Sequence, residues 1–142
     1  MCTVRHLLNI KGNEVWTVTP ETSVFDALKL MADKNIGAVV VMDGEQVAGI
    51  MTERDYARKV ILQSKTSKET QVREIMTPAV LYVHPEQHIE ECMAIMDAKR
   101  IRHLLVLEEG RLVGMVSMRD VVKQIIDERE FLIDQLEHYI TQ

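Results

Sequence analysis

The sequence predicts an α/β (α+β) fold made of two β-α-β-β-α repeats, packed with pseudo-two-fold symmetry and followed by a long C-terminal helix. Two observations predict the repeats. Residues 20–61 overlay residues 85–126 without a gap at an offset of 65 positions, and residues 3–8 (TVRHLL) resemble residues 71–76 (QVREIM). A third observation predicts the elements, because each copy has apolar residues at helical spacing and then two short apolar runs.

Composition and charge narrow the possible functions. The chain has 142 residues, 46% of them hydrophobic, as in a globular protein with a core. The net charge of −5 argues against nucleic acid as a partner. No apolar run approaches the roughly 20 residues that cross a bilayer, and the start of the chain is too polar for a signal peptide. We therefore expect a cytoplasmic protein with no membrane partner, and the absence of a C-x-x-C pair predicts no metal site.

Each repeat begins with a short extended run, at residues 15–18 and 80–83, followed by a helix. In the first copy, Ser23 and Asp26 form the pattern of a helix N-cap followed by an acidic first turn. Both helices then show an apolar stripe. The stripe residues are Val24, Ala27, Leu28 and Met31 in the first copy, and Ile89, Cys92, Met93 and Met96 in the second.

A β-hairpin and a second helix complete each repeat. Apolar runs at 36–42 and 46–51 flank a short turn containing glycine, as do runs at 101–107 and 111–116. Thr52 and Ser117 mark the next helix starts. The resulting boundaries are 4–62 for the first repeat, 63–71 for a polar linker, 72–126 for the second repeat and 127–142 for a helical extension.

The last helix carries an apolar stripe beyond residue 126, where the first copy has already turned into linker. Apolar residues stand at positions 132, 133, 136 and 140, with charged residues on the other face. Such a stripe needs a cover, which is either the edge of the same molecule or another subunit. We favour a homodimer.

The closing motif of each repeat joins a hydroxyl, an arginine and an aspartate at the start of a helix. The residues are Thr52, Arg54 and Asp55 in the first copy, and Ser117, Arg119 and Asp120 in the second. A capping box explains the hydroxyl and the carboxylate without any ligand. It does not explain the arginine, which suits phosphate oxygens, as does a helix N-terminus. A carboxylate accepts both hydroxyls of a ribose, so the set matches a nucleoside phosphate.

The ordered motifs resemble a tandem pair of cystathionine-β-synthase (CBS) domains, a Bateman module. The resemblance is carried by GIMTERD and GMVSMRD, by IGAVVV and IRHLLV upstream, and by IMTP at the opening of the second copy. It covers residues 4–126 and extends to stand-alone two-CBS proteins of bacteria and plant organelles. Many family members have proline where Val40 and Leu105 stand.

This resemblance implies a regulatory module that binds AMP, or alternatively ADP, ATP, NAD or S-adenosylmethionine, and signals in trans to an unidentified partner protein. It implies that Asp55 and Asp120 hold ribose hydroxyls, that Thr52 and Ser117 meet ribose or phosphate, and that the two arginines meet phosphate. The implied base-pocket residues are Thr17, Thr19, Ala38 and Val39 in the first copy, and Tyr82, His84, Arg102, His103 and Leu104 in the second.

Two other classes of function compete with this one. An enzyme needs a nucleophile with a base in reach, a metal or an acid–base pair, and no such motif is present in the sequence, so we predict no catalysis. A structural or oligomerisation module without ligand would use the motifs as helix caps alone. For the nucleotide-binding module, the difference between Gly37-Ala38 and Arg102-His103 predicts two clefts with unequal affinities.

Overall fold

The computed structural model describes residues 2–78 and 80–141. It confirms the predicted fold class, with two three-stranded sheets and a long last helix. The elements in chain order are α1 (Val4–Lys11), β1 (Thr17–Val18), α2 (Val24–Lys34), β2 (Ala38–Asp43), β3 (Gln46–Thr52), α3 (Glu53–Tyr56), a π-helical turn (Ala57–Ile61), a 3-10 turn (Val72–Glu74), β4 (Tyr82–Val83), α4 (Ile89–Lys99), β5 (His103–Glu108), β6 (Arg111–Ser117) and α5 (Met118–Thr141).

The chain divides into two compact units whose limits differ from those of the sequence repeats. One unit contains the described residues of the ranges 1–14 and 82–142, and the other contains those of 15–81. Helix α1 therefore belongs with the second repeat, while the 3-10 turn at Val72–Glu74 belongs with the first. Each unit has its own cluster of buried apolar side chains.

The sheets of the two units have the same topology and register. In each unit a two-residue strand pairs in parallel with the first hairpin strand, which pairs antiparallel with the second. Both hairpins carry a register shift near their turn end. Gly44 and Gly110 hold the turns with φ of 64° and 78°, a conformation that favours glycine. The predicted hairpins are confirmed.

Helices α2 and α4 begin with caps and bury the predicted stripes. The Ser23 hydroxyl accepts from the Asp26 amide at 3.1 Å, as the sequence predicts. In the second copy His88 takes the cap position, and its amide donates to the Glu91 carboxylate at 3.3 Å. The fully buried stripe residues are Val24, Ala27 and Met31 in α2, and Ile89, Cys92 and Met96 in α4.

The related segments 3–8 and 71–76 dock in the same way, each on the body of the other repeat. The matching hydrogen bonds are Val4 N to Gln87 O and Val72 N to Thr22 O, Arg5 N to Pro85 O and Arg73 N to Pro20 O, and Ile89 N to Cys2 O and Val24 N to Thr70 O. We call residues 2–11 and 70–77 the docking segments. These shared contacts explain why the two docking segments resemble each other in sequence.

The polar stretch predicted as a linker is partly built into the unit of residues 15–81. Thr70 is buried, and its hydroxyl donates to Thr66 O at 2.7 Å. The Phe25 amide donates to Ser67 O at 2.9 Å. Because the first amides of a helix have no partner inside the helix, this stretch supplies acceptors that α2 lacks.

Glycine in the closing motif allows the docking segments to come close. A Cβ atom on Gly49 would lie 2.6 Å from the carbonyl oxygen of Thr77. Next to it, Ile50 and Thr77 exchange two backbone hydrogen bonds of 3.0 and 2.9 Å. On Gly114 a Cβ atom would lie 2.8 Å from a terminal methyl group of Leu8. Only a residue without a side chain fits against the backbone at position 49.

We expect Gly49→Ala to destabilise the protein more than Gly114→Ala. The first change meets a fixed backbone carbonyl, so it costs about 2–3 kcal/mol, while the second meets the end of a flexible leucine and costs about 1 kcal/mol. Chemical denaturation of the two variants measures the difference in unfolding free energy. Equal losses at the two positions would contradict the close approach at Thr77.

Candidate functional site

The two closing motifs form polar corners where a strand ends and a helix begins. The Thr52 amide donates to Asp55 Oδ2 at 3.0 Å, and the Asp55 amide donates back to Thr52 Oγ1 at 3.1 Å. Ser117 and Asp120 repeat this exchange at 2.9 and 3.1 Å. The predicted capping boxes are therefore confirmed in both copies.

Backbone pairing brings the start of each hairpin to its corner. Ala38 is the strand partner of Thr52, and His103 is the strand partner of Ser117. The Met118 amide donates to Arg102 O at 2.8 Å, which fixes the neighbouring backbone as well. We name these groups the Asp55 corner (Ala38, Thr52, Asp55, Lys59 and Thr77) and the Asp120 corner (Lys11, Arg102, His103, Ser117 and Asp120).

In the Asp55 corner the protein itself engages both carboxylate oxygens. Oδ2 accepts from the amide of Thr52 and lies 3.2 Å from its hydroxyl. Oδ1 accepts from the Thr77 hydroxyl at 3.3 Å and pairs with Lys59 Nζ at 3.2 Å. The Asp55 side chain is only 10% exposed. Because a carboxylate offers about four acceptor positions, Asp55 has little capacity left for a ligand.

In the Asp120 corner only one carboxylate oxygen is engaged by the described residues. Oδ2 accepts from the Ser117 amide and pairs with Lys11 Nζ at 2.9 Å. The same ammonium group donates to Met115 O at 2.6 Å. The side chains of Lys11 and Asp120 are 28% and 26% exposed. The contacts described for Asp120 leave Oδ1 open to a further donor.

The surroundings shift the pKa values of two groups in the Asp120 corner. Burial alone would raise the pKa of Asp120, but hydrogen bonds from Lys11 and Ser117 outweigh it, and the pKa is lowered from its ordinary value. Burial also lowers the pKa of His103, with help from the positive charges of Lys11 and Arg102, against the opposing effect of Asp120. At neutral pH Asp120 is thus an anion and His103 is uncharged.

The structure places the remaining predicted site residues at different distances from the corners. Arg54 and Arg119 are exposed in the first turns of their helices, and Leu104 is buried in β5. Thr17 pairs with Val40 in the sheet, two residues along β2 from Ala38.

Three more of these residues form contacts further along the sheets. The Thr19 hydroxyl lies 3.0 Å from that of Thr22. Tyr82 meets His84 edge-on at 5.7 Å between ring centres. His84 Nδ1 lies 3.3 Å from Leu107 O, four residues along β5 from His103.

The sequence analysis missed three residues of the corners, Lys11, Lys59 and Thr77. Lys11 and Thr77 are the last residues of the docking segments, each of which packs on the other repeat. The sequence held one signal: residues 9–15 (NIKGNEV) differ from the stretch of the second copy that contains MTP. The sequence did not reveal which aspartate such a residue would reach.

No helix in the described ranges combines the length and the apolar character that crossing a membrane requires. No three or more His, Cys, Asp or Glu residues in those ranges stand close enough together to hold a metal ion.

Comparison with known proteins identifies the family. The CBS domain model matches residues 6–62 and 72–127. CBSX3, a mitochondrial CBS domain-containing protein of Arabidopsis thaliana, is 43% identical over 134 residues, which cover 91% of this chain and 65% of CBSX3. The chain therefore spans slightly less than two thirds of that relative.

Solved structures give the same result. A CBS-domain protein from Burkholderia ambifaria is 53% identical with a TM-score of 0.87, over 89% of this chain and 95% of the other. The CBS domain pair of MJ0100, solved in complex with 5′-methylthioadenosine and S-adenosyl-L-methionine, is 24% identical with a TM-score of 0.77, over 87% and 99% of the two chains. The chain belongs to the CBS domain family and contains two CBS domains in tandem.

Proposed function

We propose that this chain is a regulatory module that binds an adenine nucleotide and signals its occupancy in trans to a partner protein. AMP is the first candidate ligand, and ADP, ATP, NAD and S-adenosylmethionine are the alternatives. The observation that carries the proposal is the Asp120 corner, where an ionised carboxylate with one oxygen open stands beside a hydroxyl and positive charge. The same motif recurs at Asp55.

The chemistry of the Asp120 corner suits a nucleoside phosphate. The open Oδ1 accepts one ribose hydroxyl, and Oδ2 accepts the second if Lys11 moves aside. The first turn of α5, a 24-residue helix, directs amides towards negative charge. Arg119 in that turn offers a planar group that matches phosphate oxygens.

The shared fold supports an adenosine-derived ligand in general terms. The MJ0100 domain pair was solved with two such molecules, 5′-methylthioadenosine and S-adenosyl-L-methionine. At 24% identity that likeness concerns the fold alone. The choice of ligand for this chain is therefore argued from the residues of the Asp55 and Asp120 corners. Their charge favours a phosphate-bearing nucleotide.

The two corners differ in their capacity to accept a ligand, and we propose Asp120 as the stronger site. Asp55 accepts from Thr52, Thr77 and Lys59 with both oxygens, so a ribose there must replace existing bonds. Asp120 has one oxygen free of such contacts among the described residues. Exchanging a hydrogen bond for an equivalent one yields little free energy, whereas filling an open acceptor adds a new bond.

Binding without turnover is part of the proposal. Ser117, His103 and Asp120 are neighbours, as in some hydrolytic sites, but the Ser117 hydroxyl accepts from the Asp120 amide. The contacts described for His103 include no hydrogen bond to Ser117 or to Asp120 that would make it a general base. This arrangement holds a helix cap and supports binding better than it supports catalysis.

The part of α5 from Ile126 onward suits a homodimer contact. Its exposed apolar residues are Ile126, Phe131, Leu132, Ile133, Leu136, Tyr139 and Ile140. Within α5, the residues after Val121 are at most partly buried. We therefore propose that a second copy covers this face and that the module works as a homodimer in the cytoplasm; CBSX3, by contrast, is named as mitochondrial.

We expect AMP to stabilise the wild-type protein, and Asp120→Asn to remove most of this effect. Saturating AMP at about 100 times its dissociation constant adds about 2.7 kcal/mol to the unfolding free energy. The amide lacks the second acceptor that a ribose needs but keeps the helix cap, so the variant still folds. Thermal shift with AMP, ADP, ATP, NAD and S-adenosylmethionine measures the effect.

Asp55→Asn and Asp127→Asn serve as comparisons for that experiment. The first changes the weaker corner and reduces the AMP shift less. The second makes the same chemical change at an exposed surface ion pair with Lys123 and leaves the shift intact. If none of the five ligands shifts the melting temperature of the wild-type protein, the motifs are helix caps only, and the chain is a structural module.

Stability should fall as the pH drops below neutral, partly because of His103. Its folded-state pKa is lowered, so its contribution is complete above the ordinary histidine pKa and is lost as the pH falls towards the folded value. His103→Asn should therefore flatten the dependence of unfolding free energy on pH between about pH 7.5 and 5.5. An unchanged slope in His103→Asn would refute the assignment.

Charged substitutions on α5 should separate the dimer. Ile133→Glu with Leu136→Glu places two carboxylates on the exposed apolar face, so we expect light scattering to change from a dimer mass to a monomer mass. Asp134→Asn, on the same helix, should keep the dimer. A wild-type protein that is monomeric at micromolar concentration would contradict the proposal.

A further inference from the structure

We infer that Lys11 makes the Asp120 corner select anionic adenine nucleotides over uncharged adenine nucleosides. The inference rests on the proposed function and names the residue that sets ligand class at this corner. Lys11 does so as a counter-ion that a ligand must displace, and only a ligand with a negative charge gives it a new partner.

Lys11 reaches the corner from a separate element. It is the last residue of α1, which ends at Gly12 with φ of 96°. Its ammonium group lies 2.9 Å from Asp120 Oδ2 and 2.6 Å from Met115 O. The side chain is 28% exposed, so its charged end is near solvent and can turn about its own rotatable bonds without moving the helix.

Ribose binding and the Lys11 ion pair compete for the same oxygen. A ribose that uses both hydroxyls needs Oδ1 and Oδ2, and Lys11 already occupies Oδ2. With adenosine the displaced ammonium group keeps only the Met115 carbonyl and loses its counter-ion, which is costly in a half-buried setting. With AMP the phosphate is a new anionic partner, and charge-assisted bonds to phosphate are among the stronger ones.

Neighbouring charges act in the same direction. Burial lowers the pKa of His103, and the positive charges of Lys11 and Arg102 lower it further. Arg119 directly precedes Asp120 at the start of α5. The corner therefore has more positive than negative side chains, with Lys11 the one that contacts Asp120, and a bound phosphate would bring it closer to neutrality.

The Asp55 corner also has a lysine beside its carboxylate, but that lysine is more exposed than Lys11. Its lysine, Lys59, follows Asp55 by four residues in the same helical segment and donates to Ile75 O at 3.0 Å. The hydroxyl of Thr77, an uncharged donor, also donates to the Asp55 carboxylate. The Lys59 side chain is 44% exposed, against 28% for Lys11, so its ammonium group stays better hydrated when a ribose displaces it. The penalty against an uncharged nucleoside is therefore smaller there than at Asp120.

Calorimetric titration of AMP and of adenosine into wild-type protein and Lys11→Met tests the inference. In the variant we expect AMP to bind about tenfold more weakly, since a charge-assisted hydrogen bond is lost. Adenosine should bind equally well or up to about threefold more tightly, because Oδ2 no longer has a competitor. The ratio of the two affinities should fall by at least about tenfold.

Two further variants keep the test decisive. Lys11→Arg retains the charge and should retain most of the preference for AMP. Lys123→Met removes a charge from an exposed pair on α5 and should leave the ratio unchanged. If Lys11→Met loses its fold by circular dichroism, Lys11→Gln, which keeps a donor to Met115 O, takes its place.

The outcomes separate this inference from the proposed function. AMP and adenosine binding with the same ratio in wild-type protein and Lys11→Met would overturn the role of Lys11 while leaving nucleotide binding in place. Folded wild-type protein that binds neither compound, nor the other adenine ligands, would overturn the proposed function and the inference with it. A ratio that falls in Lys11→Met and not in Lys11→Arg supports both.

Discussion

The docking of a short segment against each three-stranded sheet is the contact on which the rest of this structure depends. A small sheet with two helices buries too little surface to be stable alone. Here Val4, Leu7 and Leu8 of α1 enter the core of one unit, and Val72 and Ile75 enter the core of the other. The backbone is bound as well, through equivalent pairs of amides and carbonyls in the two units. The glycines of the closing motifs make room for this docking.

The same contact accounts for the difference between the two polar corners. The docking segments deliver Lys11 to Asp120 and Thr77 to Asp55, and both reach the carboxylate that caps the next helix. The two copies of the motif therefore have the same capping hydrogen bonds but meet different side chains from the docking segments. A small change in a segment remote in sequence decides whether that segment brings a charge or a hydroxyl to the aspartate, and so affects which molecules the corner can accept.

Much of the fold followed from local sequence signals. The hairpins were marked by apolar runs around Gly44 and Gly110, and the helix starts by Ser23, Thr52 and Ser117. What remained hidden depends on contacts between distant residues. The polar composition of residues 63–71 gave no sign that Thr70 is buried, and the capping signal at Thr52 did not show that α3 continues as a π-helical turn. Lys11 and Thr77 could not be assigned, because alignment of the repeats shows equivalence and not which copy a segment packs on.

The exchange of docking segments also determines how this chain can be taken apart. Residues 63–71 form the polar stretch between the two sequence repeats. A cut there would leave α1 on the N-terminal fragment and the sheet that α1 covers on the C-terminal fragment. Breaks after residues 14 and 81 instead follow the boundaries of the compact units. Gene fusions, split reporters and circular permutants of this protein are therefore better opened at those two points, and a single repeat expressed by its sequence limits would expose apolar surface and aggregate.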